Sequence, residues 1–306
     1  MKLLRESSIF PAHSVVTIGN FDGVHKGHQR LIETVVQAAR AFQIPSVLLT
    51  FEPHPQEFFM PDKPVARLMR FFEKWTVIEK HGVDYFYVMR FTKKMAALSP
   101  EAFVKNILVQ QLNAKKIIVG DDFCFGAKRA GDVALLKTLG KKYGFEVDAL
   151  PQWTHDNHRI SSTRLRNALK IGDFNEFTTL TGRPFYLTGK VSYGDQVGRQ
   201  LGYPTANIYL HRKQVPLMGI FIVCVHELKK HALSGVASLG FRPTLDGKTL
   251  LLEVHLFDFD EEIYGKRITV ELIKKIRDEV RFDNTNDLIA QIDSDAAIAR
   301  RYFEAR

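Results

Sequence analysis

Hydrophobic positions follow two different rhythms along the chain. In the first half, short β-branched runs at Ser14–Gly19, Ser46–Phe51, Val83–Met89, Lys116–Asp121 and Glu146–Leu150 read as buried strands. Between them the period lengthens to that of a helix. In Gln29–Phe42 the residues Leu31, Ile32, Val35, Val36, Ala39 and Phe42 form one apolar stripe. Ser99-Pro100-Glu101 opens another helix, with a capping hydroxyl, a proline in the first turn and an acid behind it. Strand and helix in alternation predict a parallel sheet covered on both faces, whose ligands sit at the carboxyl ends of the strands.

From about Phe185 the period shortens. Runs near 185–193, 219–228, 231–239, 249–258 and 267–273 are strand-like and separated by Gly, Pro and Asp turns. Thr249–Phe257 alternates most cleanly, with Leu250, Leu252, Val254 and Leu256 on one side and Leu251, Glu253, His255 and Phe257 on the other. A helical tail from Asn286 to Phe303 follows. The pattern predicts α/β plus all-β: residues 1–182 forming the α/β domain, and residues 183–306 a small antiparallel β-barrel with a C-terminal helix.

Composition narrows the partners. The 306 residues carry a formal charge of +9, which favours an anionic ligand, and phosphorylated small molecules meet that need as readily as a nucleic acid or an anionic membrane. No basic block of arm length occurs. The longest clean apolar run, Ile220–Val225, is far short of a bilayer span, and Glu6 and Pro11 interrupt any leader-like start. Cys124 and Cys224 stand alone in apolar surroundings and read as small buried residues, not as a disulfide or zinc framework. A soluble, cytoplasmic protein, monomeric or transiently oligomeric, is the expectation.

Gly19-Asn20-Phe21-Asp22-Gly23-Val24-His25-Lys26-Gly27-His28 links the first strand to the first helix. A helix N-terminus offers free N–H groups and partial positive charge, which suits phosphate. The glycines permit close backbone approach, and His25 and His28 can both donate to phosphate oxygens as charge develops there. The plainer alternative is a pair of capping or packing histidines. His155-Asp156-Asn157-His158 repeats the spacing but reads as a solvated turn. Three further segments belong at the same sheet edge: the stiff loop Pro53-His54-Pro55, the segment Gly120–Gly126 with Asp121 and Phe123, and Ile160–Arg166, whose hydroxyls and two guanidiniums can anchor polyphosphate. Each also has a structural alternative: a rigid turn, a buried Phe pair, and a cap with a solvated Arg face.

The strings IGNFDGVHKGH, TFEPHP, VGDDFCFG and ISSTRLR resemble the FAD synthetase half of the bacterial bifunctional riboflavin kinase/FAD synthetases. The resemblance implies a Rossmann-like nucleotidyltransferase domain that transfers AMP from ATP to FMN and releases pyrophosphate. It implies that His25 and His28 stabilise the transferring phosphate, with no covalent intermediate. Ser162, Thr163 and Arg166 are implied to hold the β and γ phosphates. Class I tRNA synthetases share the His-x-Gly-His signature, but no Lys-Met-Ser-Lys-Ser partner is present here.

In the second half, Gly194, Gly198 and Gly202 recur at intervals of four, suited to a flap whose N–H groups wrap phosphates. Thr205 and Asn207 offer the hard oxygens that Mg²⁺, or another divalent ion, prefers. Glu253 on an otherwise apolar strand is either paired structurally or kept as a general base. GFRPTLDGKT (Gly240–Thr249) is not a phosphate loop, because its glycines are too far apart and it runs into a strand; it reads as a turn with Asp246-Gly247 at the tip. GRQLGYPTANI, SLGFRPT and LLEVHLFDFDEEIYGK resemble the kinase half of the same family. That resemblance implies Mg–ATP on Thr205 and Asn207, Glu253 as the base for the riboflavin 5′-hydroxyl, Arg277 against the flavin, and FMN then FAD as products. Tyr203, Val197 and Leu245 depart from the residues usual in the family.

Overall fold

The computed structural model describes all residues except 6–9, 11, 195–197, 199–200, 245–246 and 306. Two compact units are present: Met1–Val65 with Met69–Arg164, and Ala66–Leu68 with Leu165–Arg306. The first holds β1 (Lys2–Arg5), β2 (Ser14–Ile18), α1 (Lys26–Phe42), β3 (Ser46–Glu52), α2 (Pro55–Phe59), α3 (Phe71–Glu79), β4 (Tyr85–Arg90), α4 (Lys93–Ala96) and α5 (Pro100–Phe103). A π-helical stretch, Val104–Gln111, continues α5 and leads to β5 (Ala114–Gly120), α6 (Val133–Tyr143) and β6 (Glu146–Leu150). A short hairpin, β7 (Thr154–His155) with β8 (His158–Arg159), precedes α7 (Ser162–Lys170), which runs through the division between the units.

The sheet is parallel throughout, in the order β1-β4-β3-β2-β5-β6. Every residue of β2 is buried because both faces are covered. Val15 packs with Val35 and Ala39 of α1 on one face, and Val16 and Ile18 join the larger core with Leu49, Tyr87 and Ile117 on the other. The five expected strands are present. β1 was not expected: its four residues, with a cation at each end, carry too little pattern to separate an edge strand from a polar terminus. Phe42 departs from its expected stripe. It is 40% exposed at the last turn of α1, with the Lys116 ammonium 5.8 Å from its ring.

The second unit adds α8 (Phe174–Thr181), β9 (Phe185–Ser192), β10 (Ala206–Tyr209), β11 (Gly219–His226), β12 (Leu233–Thr244), β13 (Gly247–Leu256), β14 (Arg267–Arg277) and α9 (Thr285–Glu304). Its strands close into an antiparallel barrel in the cyclic order β10-β13-β12-β11-β14-β9. Along β13, Leu250, Leu252, Val254 and Leu256 all point into the core. On the outer face α9 covers Ile220, Ile222 and Phe257 with Ala296 and Ala299. The cysteines differ from expectation in burial: both are half-buried, not buried. Gly240 lies within β12, with Arg242 facing Thr249 across the β12–β13 pair, so GFRPTLDGKT is a hairpin; the expected tip residue Asp246 is outside the described residues.

The division between units falls at Arg164/Leu165, ahead of the expected boundary at 182. The aromatic side chains of α8 account for the difference. Phe174 meets Phe221 of the barrel edge-on, and Phe177 meets Phe185 likewise.

Candidate functional site

At the carboxyl end of β2 the chain makes a tight loop whose apolar residues turn inward. Phe21 and Val24, 1% and 0% exposed, both adopt positive φ, and Gly23 between them sits at φ 89°. Asp22 is buried; its Oδ1 accepts from the Met69 amide at 3.1 Å, and its carbonyl accepts from the Ser162 hydroxyl at 2.6 Å. The buried Lys74 ammonium on α3 donates to the Asn20 carbonyl at 2.6 Å. His25 is the N-cap of α1, its Nδ1 accepting from the His28 amide at 3.2 Å. An acceptor Nδ1 places the proton of a neutral ring on Nε2, leaving that edge as a donor. The His25 and His28 rings stack at 3.6 Å, and Phe21 meets His28 edge-on. A Cβ at Gly27 would sit 3.2 Å from His25 Nδ1, close enough that the ring would have to give by a few tenths of an ångström. The capping and the phosphate readings of the two histidines are therefore compatible: one ring nitrogen caps and the other donates.

The neighbouring segments divide. Ser162 joins the loop through Asp22, and Thr163 beside it is exposed in the first turn of α7. Arg166 lies in the second unit, its Nε donating to the Ala66 carbonyl at 2.8 Å. Pro53 and Pro55 flank His54, whose buried ring caps α2 by accepting from the Gln56 amide at 3.2 Å. Asp121 is exposed at the end of β5. Phe123 is half-buried; it stacks on Phe125 at 5.6 Å and packs against the sheet core. His155 and His158 form the β7–β8 hairpin, whose carbonyls accept from Arg164 Nη1 at 2.9 and 3.0 Å.

In the barrel, β10 sits beside β13 with Asn207 opposite Glu253. A cavity of about 300 Å³ opens on this face, lined by Gly198, Thr205, Arg242, Glu253 and Arg277 among others. A Cβ on Gly194 would overlap the Asn207 amide, and one on Gly198 would lie 2.5 Å from the Tyr203 carbonyl; Gly202 has φ +84° with open space around it. The rest of the expected flap, including Val197, lies outside the described residues, as does Leu245. Glu253 accepts from Arg242 Nη2 at 2.7 Å and Nε at 3.0 Å. Burial opposes the charge of Arg242, but the carboxylates of Glu279 and Glu253 more than offset it and raise the guanidinium's pKa. Arg277 is forked onto Asp295, Nη2 to Oδ2 at 2.7 Å and Nε to Oδ1 at 3.0 Å. The Tyr203 hydroxyl donates to Asp293, which holds the phenol above its ordinary pKa.

A family model described as FAD synthetase matches residues 8–164, and one described as riboflavin kinase matches residues 181–303. The chain belongs to the bifunctional riboflavin kinase/FMN adenylyltransferase family. A member from Escherichia coli (strain K12) is 43% identical over 94% of this chain and 92% of its own. One from Pseudomonas fluorescens is 42% identical over 98% of this chain and 97% of its own. A crystal structure described as a macrolide-efflux protein from Streptococcus pneumoniae has the same fold from end to end, with a TM-score of 0.81 at 31% identity over 98% of this chain and 99% of that one. Among the described residues, no helix is long and apolar enough to cross a membrane.

Within this family frame, several residues at the sites carried no signal in the sequence. Lys74 is a lysine on an ordinary amphipathic helix until folding sets it under Asn20. Phe58, Phe59 and Phe91 come from two segments and meet as a cluster, Phe58–Phe91 at 5.3 Å and Phe59–Phe91 at 5.6 Å, with Phe59 63% exposed. Arg242 was visible only as part of a turn string; its register on β12 brings it to Glu253.

Proposed function

We infer that this chain performs both reactions of its family. The barrel unit phosphorylates riboflavin to FMN at the expense of ATP, and the unit with the parallel sheet adenylylates FMN to FAD, releasing pyrophosphate. One observation carries the pairing: each unit assembles its own set of functional side chains, His25 stacked on His28 at the mouth of α1, and Glu253 with Thr205 and Arg277 around one cavity.

In the adenylylation, an FMN phosphate oxygen attacks the α-phosphorus of ATP, and the bond to the bridging oxygen of the β-phosphate breaks. The work is placement and charge stabilisation, so no nucleophilic side chain is needed. His25 and His28 donate to the α-phosphate as charge builds, the backbone from Gly19 to Gly23 lines the approach, and Ser162 and Thr163 at the start of α7 hold the β and γ phosphates. Pro53, His54 and Pro55 shape the flavin loop. The exposed cluster around Phe59, together with Phe123, gives the isoalloxazine ring aromatic surface to pack on, with Asp121 at the strand end to hold a polar substituent.

In the kinase reaction Glu253 takes the proton of the riboflavin 5′-hydroxyl as its oxygen attacks the γ-phosphorus, and ADP leaves. Gly194, Gly198 and Gly202 bring backbone close to the phosphates, and Arg277 lies against the flavin. Among the described residues there is no cluster of three or more His, Cys, Asp or Glu to hold a resident metal. The neutral oxygens of Thr205 and Asn207 instead suit Mg²⁺, or another divalent ion, arriving with ATP. When bound, that ion supplies neutralisation of the phosphate charge. We assign the protein to the cytoplasm, as a monomer or transient oligomer acting on riboflavin, FMN and ATP, without nucleic-acid or membrane partners.

Incubating the purified protein with ATP and Mg²⁺, with riboflavin in one arm and FMN in the other, tests the assignment by product chromatography. Riboflavin should give FMN and then FAD. Neither product from riboflavin, and no FAD from FMN, would overturn it.

A further inference from the structure

We propose that Arg242 is a positioning residue for riboflavin phosphorylation, holding one oxygen of Glu253 so that the other is presented to the substrate hydroxyl. The inference rests on reading Glu253 as the base, and adds residues that the site had not included. Ser238 faces Glu253 across the β12–β13 pair, and Arg242 lies four residues further along β12 on the same face. The guanidinium reaches back along the strand. Its Nη2 and Nε both donate to Oε2 of Glu253, at 2.7 and 3.0 Å, and neither donates to Oε1. An arginine fork commonly spans both oxygens of a carboxylate. Here it converges on one.

The guanidinium is itself fixed. Nη1 donates to Glu279 Oε1 at 2.8 Å and Nη2 to the Ser238 hydroxyl at 3.1 Å, while that hydroxyl donates to Glu279 Oε1 at 3.2 Å. The ring of contacts closes only because residue 240 is glycine: a Cβ there would overlap the Glu279 carboxylate. Ser238, Arg242, Glu253 and Glu279 all line the cavity that holds Thr205 and Arg277.

The chemistry explains why a cation beside the base is useful. Phosphoryl transfer through a loose transition state asks much of alignment. A directed carboxylate is therefore worth more here than one that can turn. The other charged or titratable groups around the cavity are His255 on β13, Tyr203 before β10, Arg277 on β14 and Asp295 on α9, the last two paired with each other.

The test compares Arg242→Met, Arg242→Lys, Glu279→Gln and Glu253→Gln in the full chain, reading kinase kcat and KM, with adenylylation of supplied FMN as an internal control. Arg242→Met should lower kinase kcat by about 10- to 100-fold with little change in the riboflavin KM. Arg242→Lys should recover part of that loss. Glu279→Gln, which leaves Arg242 on Glu253 but frees its far side, should give a smaller loss of kcat. An Arg242→Met enzyme with unchanged kcat overturns the proposal, as does a change confined to KM. Should Arg242→Met lose the fold, Glu279→Gln and Ser238→Ala decide: wild-type kcat in both sinks it. A fully active Glu253→Gln instead removes the base assignment itself, whereas an inactive Glu253→Gln beside a wild-type Arg242→Met removes the positioning role alone.

Discussion

The imidazoles of His25 and His28 lie nearly parallel, with centroids 3.6 Å apart and planes inclined by 14°. One turn of helix cannot by itself impose that geometry on two side chains. His25 is held because it caps the helix that begins beside it, and Phe21 closes edge-on behind His28. Two imidazoles are thus held in place at the start of α1, the preorganisation that the proposed donation to phosphate asks of them.

His28→Ala should lower the rate of FAD formation from FMN by about 10²- to 10³-fold, the cost of removing one well-placed donor to developing charge. Phosphorylation of riboflavin should continue in the same preparation. Chromatography of both products from one incubation checks the two statements together, and loss of both activities in a folded variant would contradict them.

Glu253→Ala should slow FMN formation by about 10²- to 10⁴-fold, the range for a lost general base. Adenylylation of supplied FMN should be unaffected. A pre-steady-state assay with riboflavin and labelled ATP distinguishes slow chemistry from slow product release.

Asp295→Ala strips the fork from Arg277. Asp295 is 5% exposed and Arg277 about a fifth, so an under-solvated cation is left behind. We expect a loss of about 3 kcal/mol, the low end for breaking a buried pair because Arg277 retains some water. Urea denaturation followed at the barrel, compared with the wild type, measures it.

Arg300 on α9 forks onto Asp258, just beyond β13, at 3.0 and 3.1 Å. That pairing lowers the Asp258 carboxyl below its ordinary pKa. A carboxyl depressed in the folded state adds stability above its unfolded pKa of about 3.9 and loses it as pH falls through the lower folded value. Asp258→Asn should therefore melt below the wild type at neutral pH, and the gap should close on acidification beneath that window. Because the pair is exposed, salt should narrow the gap as well. Paired thermal melts across pH and ionic strength provide the measurement.

Much of this molecule was legible in its residues. The alternation of Leu250, Leu252, Val254 and Leu256 specifies an inward strand face, and each of them is buried. The stripe through Ile32, Val35, Val36 and Ala39 specifies α1, because a helix in water must hide such a stripe. The glycine-rich turn before His25 and the lone acid at 253 were readable as chemistry because polar residues interrupt apolar patterns there. Less regular elements were not. β1 and β10, four residues each, are strands only because a neighbour offers hydrogen bonds.

By itself, then, the order of residues determined the regularly patterned strands and helices, which faces they bury and which side chains are available for phosphate chemistry, since these follow from local periodicity and side-chain type. Tertiary structure alone decided the partnerships. Whether Glu253 stands alone or leans on Arg242, whether Phe123 stacks on Phe125, and whether α8 joins the sheet or the barrel depend on strand register and on packing between residues far apart in the chain. No local pattern encodes those distances, because only closure of the sheet and the barrel brings the groups together.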